Sequence, residues 1–283
     1  MLDDDSTKTT YVDIVGAFQG CSDLESVDVS DSVIVIGKNA FALCSSLNNI
    51  NIPHSIWRIG EGAFKYCVSL QNINISYGVS EIGDAAFYCC KSLRSIDIPS
   101  SVRKIGARVF SGCTSLQDII IPSSVVEIGR DAFRWCTSLH DVRVHEDNRA
   151  YKSVHGILFD FDCNEIIYMP LGKQLPEYEI PSGVRKIGPH AFWLCSFLQC
   201  VTIPESVREI GEWAFMDCST LRSIHCRITN IECIDGLDEV FDDNLFENCV
   251  LYVPSCKWSE YVSHPVFGKF KHIGIDGVVD EHF

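Results

Sequence analysis

The sequence predicts a repeat solenoid, a right-handed α/β or β-rich superhelix of short parallel strands and short helical turns carrying one β-hairpin insert. Three observations predict it. Phenylalanine recurs at Phe18, Phe41, Phe64, Phe87, Phe110 and Phe133, a constant step of 23 residues. Cysteine keeps the same step at Cys21, Cys44, Cys67, Cys90, Cys113 and Cys136, and leucine at Leu24, Leu47, Leu70, Leu93, Leu116 and Leu139. After a break the phase resumes at Phe192, Cys195 and Leu198, then at Phe215, Cys218 and Leu221. Three residue types held in phase over eight copies cannot be accidental, and a stack of like coils is the architecture that needs them.

A period in the twenties, with Leu and Ile at fixed offsets, is the pattern of a leucine-rich-repeat solenoid. Residues 1–10 carry Asp3-Asp4-Asp5 and no apolar period, so a disordered tail is expected. A single solenoid is expected over 11–275, followed by a tail at 276–283. The first coil compresses Ile-Gly-x-x-Ala-Phe to Val15-Gly16-Ala17-Phe18, as a terminal repeat does. From Val33 to Val144 the coils are regular. Each Leu-x-x-Ile-x-Ile segment alternates apolar and polar and reads as a short strand. Proline closes that strand at Pro53, Pro99, Pro122, Pro181 and Pro204, where no further N–H is available for pairing. Ser-Val-x-x-Ile-Gly then reads as a second extended stretch, its glycine suited to a tight turn or a positive φ. Ala-Phe-x-x-Cys is predicted to make one helical turn.

Residues 145–183 interrupt the period. Two apolar runs, Tyr151–Phe161 and Ile166–Met169, flank Asp162-Cys163-Asn164-Glu165, which reads as a β-hairpin that projects from or folds onto the stack. Residues 228–248 are acidic and recover the repeat phrase weakly at Leu245, Phe246 and Cys249. Trp258, Tyr261, Val266, Phe267, Phe270 and Ile273 suit a short helix and an extended segment that cover the last coil, a C-terminal cap at about 245–275.

Composition narrows the function. The formal net charge of −15 comes from 38 acidic against 23 basic residues. That balance opposes contact with nucleic acid or anionic lipid. No apolar run is long enough to span a bilayer. The N-terminus lacks the basic-then-apolar pattern of a signal peptide. An intracellular location is expected on that basis, or a cell-surface one if the chain is a piece of a secreted protein. Fifteen cysteines could suggest disulfides. Nine of them, counting Cys249, instead share one inward repeat position, where a free thiol serves as a small hydrophobe. The off-column cysteines are Cys89, Cys163, Cys200, Cys226, Cys233 and Cys256. No Cys-x-x-Cys pair suggests zinc, and a zinc module on His225, Cys226 and Cys233 ranks lowest among the alternatives. His54, His140 and His225 fall on polar repeat positions and are expected in solvent.

No phosphate loop, nucleophile elbow or His-Glu-x-x-His is present. The expected function is therefore a non-catalytic scaffold for protein–protein or surface interaction, monomeric, with no cofactor, no metal and a protein partner. An enzyme site in the 145–183 insert or the 228–248 segment is the alternative. Strand geometry places the binding face. The residue between the two isoleucines of each strand must point outward. Stacking aligns Asp28, Asn51, Asn74, Asp97, Ile120, Arg143, Thr202 and His225 into one mixed stripe. Such strand faces are the extended concave surfaces with which solenoids bind.

The phrase Ile-Pro-x-Ser-Val-x-x-Ile-Gly-x-x-Ala-Phe-x-x-Cys-x-Ser-Leu, cleanest at Ile121–Leu139 and Ile203–Leu221, closely resembles the BspA-like leucine-rich-repeat family. The insert residues Asn148, Tyr151, Ser153, Val154, Gly156, Leu158 and Phe159 look like that family's extended repeat. The ending Leu251-Tyr252-Val253-Pro254, with Tyr261 and Phe270, matches too. The resemblance covers roughly residues 11 to 275. It implies a solenoid used for protein or surface interactions, as in relatives that are surface antigens binding matrix proteins or other cells, and it brings no catalytic motif.

Overall fold

The computed structural model describes residues 12–237 and 239–277, so the tail expected at 1–10 and all but Asp276 and Gly277 of the one expected at 276–283 lie outside the described residues. Contacts divide the chain into two compact units. One runs to Leu139 and includes His145–Ala150; the other takes His140–Val144 and continues from Tyr151. Both are β-solenoids of mostly parallel strands.

In the first unit the Ile-Gly stretches make a six-stranded parallel sheet, Val12–Ile14, Val33–Ile36, Arg58–Ile59, Glu81–Ile82, Lys104–Ile105 and Glu127–Ile128. The Leu-x-x-Ile-x-Ile segments form the second side, where Asn49–Ile52 pairs in parallel with Asn72–Ile75. Burial alternates there as the residue pattern requires, Ile50 and Ile52 inward, Asn49 and Asn51 outward. Between the two sides the rings of Phe18, Phe41, Phe64, Phe87, Phe110 and Phe133 stack nearly parallel at 5.1 to 6.0 Å.

The third side of each coil departs from expectation. Ala-Phe-x-x-Cys is a run of tight turns and not a helical turn. Asn39, Phe41 and Leu43 donate backbone N–H bonds of 2.8 to 2.9 Å to Glu61, Ala63 and Lys65 of the next coil. Ala40, Ala42 and Cys44 bond locally to Gly37, Asn39 and Phe41. Left-handed φ values at Asn39 (55°) and Leu43 (65°) produce this alternation. A helix would have satisfied its N–H groups within itself, whereas this geometry turns alternate ones onto the neighbouring coil, which offsets the cost of left-handed residues.

The Ile-Gly glycines also have another role than expected. Gly106 does not adopt a positive φ; a Cβ there would stand 2.5 Å from the backbone of Gly83 and Asp84 in the preceding coil. Close approach of coils, rather than turn conformation, requires glycine. The cysteine column lies inward at Cys44, Cys67, Cys90, Cys113 and Cys136, while Cys21, expected inward, is exposed. Its coil packs on a described neighbour on one side only.

In the second unit the insert is larger than one hairpin. Tyr151–Val154 pairs antiparallel with Ile157–Asp160, and that strand with Glu165–Tyr168. The expected turn near Asp162–Glu165 is present, held by Cys163 N–H on Asp160 O. A second turn at His155-Gly156, with φ of 50° and 79°, is the two-residue connection that matches strand twist. The insert does not project. Ile157, Leu158, Phe159 and Ile166 are buried, and Glu165–Tyr168 pairs in parallel with the Ile-Gly strand Lys186–Ile187, itself paired with Glu209–Ile210. The opposite side is a five-stranded parallel sheet, Glu177–Glu179, Cys200–Ile203, Ser223–Cys226, Val250–Val253 and His272–Ile275.

The phenylalanine column here runs Phe192, Phe215, Phe241, at 5.0 and 5.8 Å. Phe241, and not the expected Phe246, continues it. Phe246 sits edge-on to Phe241 at 6.1 Å on the helix Asp243–Asn248. Asp242 caps that helix by accepting the Leu245 N–H at 2.8 Å. Beyond Pro254 the helix Trp258–Ser263 buries Tyr261, whose hydroxyl donates to Ile228 O at 2.9 Å. Phe267 and Phe270 are buried against Phe241.

Candidate interaction surface

The outward residue of each strand is set by alternation, and in the first unit these residues form an exposed row. Asn51 stands opposite Asn74 in register. Asp28, Asn51, Asn74, Asp97 and Ile120 are all exposed, Ile120 at 51%. Asp28 and Asp97 lie outside any strand. An isoleucine that open between buried Ile119 and Ile121 leaves about half of its apolar surface available to a partner. Asn48 and Gln71, at the strand entrances, line an adjoining polar cleft of about 370 Å³ with Glu25, Ser46, Ser69 and Ser92.

In the second unit Arg143 is exposed on the strand Asp141–Val144, where Asp141 pairs with Lys173 at 2.9 Å. Thr202 and His225 are half-buried and in register with one another. The row includes two residues missed in the sequence. Glu179 stands opposite Thr202, and Tyr252 opposite His225. Both sit between apolar residues, Tyr178 and Ile180, Leu251 and Val253, which is the outward signature of the repeat strand; unmatched spacing hid the first and the missing Leu-x-x-Ile phrase the second.

His225 is not in free solvent as its repeat position suggested. Its ring stacks on Tyr252 at 4.6 Å and 14°, and its Nδ1 is 2.8 Å from Asp276 Oδ1. Arg227 Nε lies 3.5 Å from Asp276 Oδ2, and its Nη1 bonds Glu179 at 3.0 Å. Partial burial works to raise the Asp276 pKa, but the His225 hydrogen bond and the His225 and Arg227 charges together hold it below the ordinary carboxylate range. The cluster offers a partner a planar His–Tyr platform beside alternating charges.

The residues of the alternative readings are engaged separately. Cys226 is buried against the Tyr261 hydroxyl at 3.1 Å, and Cys233 accepts from the Asn230 amide. His225, bound to Asp276, does not join them, and the described residues include no group of His, Cys, Asp and Glu placed to hold a metal ion. In the acidic segment Asp242 caps a helix and Glu239 accepts from Trp213 Nε1 at 2.7 Å. All fifteen cysteines are unpaired, and no described helix is long and apolar enough to cross a membrane.

The family model described as BspA type leucine rich repeat region matches residues 15–140 and 171–250, in 6 copies. No curated protein matches the chain. Among solved structures, a leucine-rich repeat protein from Eubacterium ventriosum superposes with a TM-score of 0.68 at 21% identity, over 81% of this chain and 66% of the other. The chain thus spans just under two thirds of that protein. A leucine rich cell surface protein from Faecalibacterium prausnitzii gives 0.58 at 26% identity, over 89% and 79%. The pneumococcal vaccine antigen PcpA gives 0.55 at 20% identity, over 89% of each chain.

Proposed function

Because the chain belongs to the BspA-type leucine-rich-repeat family, we propose that it is a non-catalytic interaction scaffold whose outward strand residues bind a protein partner. The observation that carries this reading is the outward row itself, the exposed Asn51, Asn74, Asp97 and Ile120 in one unit and the half-buried Thr202–His225 row in the other. A side chain such as Ile120, half exposed where Asp or Asn serves solubility equally well, gives a row its apolar anchor, and polar neighbours form the rim. A cell-surface location suits the description of the Faecalibacterium protein at 26% identity. The partner is not nucleic acid, in keeping with the net charge of −15.

Affinity capture from extracts of the source cells tests the reading. The parent is compared with Asn74, Asp97 and Ile120 changed together to Ala, and separately with Arg143, Thr202 and His225 changed to Ala. The partner recovered by the parent is expected to be lost with one set while both variants stay folded, the second melting somewhat lower because it also loses the His225 contacts with Tyr252 and Asp276. Equal recovery by both folded variants overturns the strand-face assignment.

A further inference from the structure

The turn side of the first unit, away from the strand rows, carries a trough made by a local change of residue size. Two positions of each coil lie on that side, the pair that follows the stacked phenylalanine. They are Lys65-Tyr66 in one coil and Arg134-Trp135 in another. Of the two coils between them, one carries Tyr88-Cys89 and the next only Ser111-Gly112. The missing bulk leaves an open volume of about 350 Å³ walled by Lys65, Tyr66, Tyr88, Arg108, Arg134 and Trp135, with Ser111 also lining it. Gly112 keeps the space clear. Its φ is +78°, as in the neighbouring turns, but any Cβ there would meet Cys89 Sγ at 2.7 Å.

The trough has a definite chemistry. Three cations line it and no carboxylate does, on a chain of net charge −15, although Arg108 Nε also faces Asp131 Oδ2 at 3.7 Å beside it. Lys65 Nζ lies 5.4 and 5.3 Å from the ring centroids of Tyr66 and Tyr88, and the Arg134 guanidinium 4.7 Å from that of Trp135. The Tyr66 and Tyr88 rings meet edge to face. Cations therefore already occupy ring faces that a sugar would need for stacking, and ring edges, which carry positive potential, add to the charge. Ser111 is 1% exposed, and its hydroxyl has no hydrogen-bond partner among the described residues. A buried hydroxyl left unpaired is costly, and an incoming polar atom would relieve that cost.

We propose that this trough is a binding site for an acidic peptide segment, holding a glutamate or aspartate carboxylate between the lysine and arginine heads. Planar guanidinium groups favour carboxylates in paired contacts. A carboxylate side chain brings one charge together with backbone polar groups that can reach Ser111. The site is separate from the strand rows, so it stands or falls independently of them.

Titration calorimetry on the full chain tests it, with a blocked hexapeptide alternating glutamate and leucine as the probe. The expected result is saturable binding that weakens as salt is raised, because the contact is between charges near the surface. Two variants are decisive. K65Q/R134Q removes charge at half-buried surface positions, and S111Y fills the trough with the residue that Tyr88 already places at the same repeat position. Each is expected to weaken binding at least about tenfold, at unchanged melting temperature. If S111Y melts early, K65Q/R134Q alone decides. Absence of saturable binding, or binding unchanged in folded K65Q/R134Q, overturns the proposal. So does equal binding of the lysine–leucine hexapeptide, equal competition by inorganic phosphate, or tighter binding of trigalacturonate, which would make the trough a general apolar, anion or sugar site.

Discussion

The cysteine of each repeat is more than a small core residue. Cys67, Cys90, Cys113 and Cys136 each direct Sγ at the carbonyl of a phenylalanine in the preceding coil, Phe41, Phe64, Phe87 and Phe110, at 3.1 to 3.2 Å. Cys218 does the same to Phe192 at 3.0 Å. A thiol can fill an apolar site and still donate weakly; alanine fills it without donating, and a serine hydroxyl is costlier to bury. Nine cysteines are buried, while Cys21, Cys233 and Cys256 are exposed. Brief alkylation of native protein, read by peptide mass spectrometry, is expected to modify Cys21, Cys233 and Cys256 and to spare the buried nine until denaturant is added. Rapid modification of Cys90 or Cys113 would show that the column is not closed.

At the scale of the element, the solenoid depends on how near one coil comes to the next. The Ile-Gly corner is one of the tight points. At Gly106 a methyl group would overlap peptide backbone, which cannot move aside as a side-chain end can. Gly106→Ala is therefore expected to cost about 1–3 kcal/mol as an overpacked site. Gly183 has no atom within 4 Å of the same added Cβ. Gly183→Ala should be neutral or stabilising, by up to about 1 kcal/mol, through the unfolded chain. Urea midpoints of the two variants and the parent check both expectations. Equal midpoints for Gly106→Ala and the parent would refute the close-approach role. Serine adds a second tie between coils: Ser101, Ser124 and Ser206 each donate Oγ at 2.6 Å to the valine carbonyl of the coil before, Val79, Val102 and Val184.

Across the whole molecule the buried thiols sum to a pH dependence. Burial pushes Cys67, Cys218 and Cys249 up to about 12. Unfolded thiols lose their protons near about 8.5. Between those values the unfolded state binds fewer protons than the folded one, so stability falls as pH rises. Full stability is expected below about pH 8.5, with a progressive decline toward pH 12. Urea midpoints at neutral pH and in steps above pH 9 measure it, and Cys67→Ala with Cys218→Ala should flatten the decline. A midpoint independent of pH above 9 would place these thiols in water. Much of this architecture was legible in the sequence, because coils that repeat in space repeat in residues: the Phe, Cys and Leu columns and the outward Asn51, Asn74 and Ile120 all follow from phase. What lacked phase was not legible. Glu165–Tyr168 and Glu177–Glu179 pair as repeat strands without the repeat's Phe-x-x-Cys phrase. Phe241 takes the ring column through spacing altered by the acidic segment. The His225–Asp276 contact joins residues 51 positions apart, and the trough arises from an absence of bulk at Ser111-Gly112, a signal that a search for recurring residues passes over.

The turn-side bonding has a consequence for which changes of length the chain tolerates. Each coil offers its successor the same set of donors and acceptors, as Asn39, Phe41 and Leu43 do toward Glu61, Ala63 and Lys65. Excising residues 83–105 would join Ile82 to Gly106 and leave every coil facing a neighbour of the same grammar. Excising a few residues more or fewer would set phenylalanine against cysteine all along the seam. The regular coils are thus quantised in length: that run can shrink or grow by whole coils, as a zip fastener can be cut between teeth, and other lengths enter only where an insert such as 145–183 leaves the phase and returns to it.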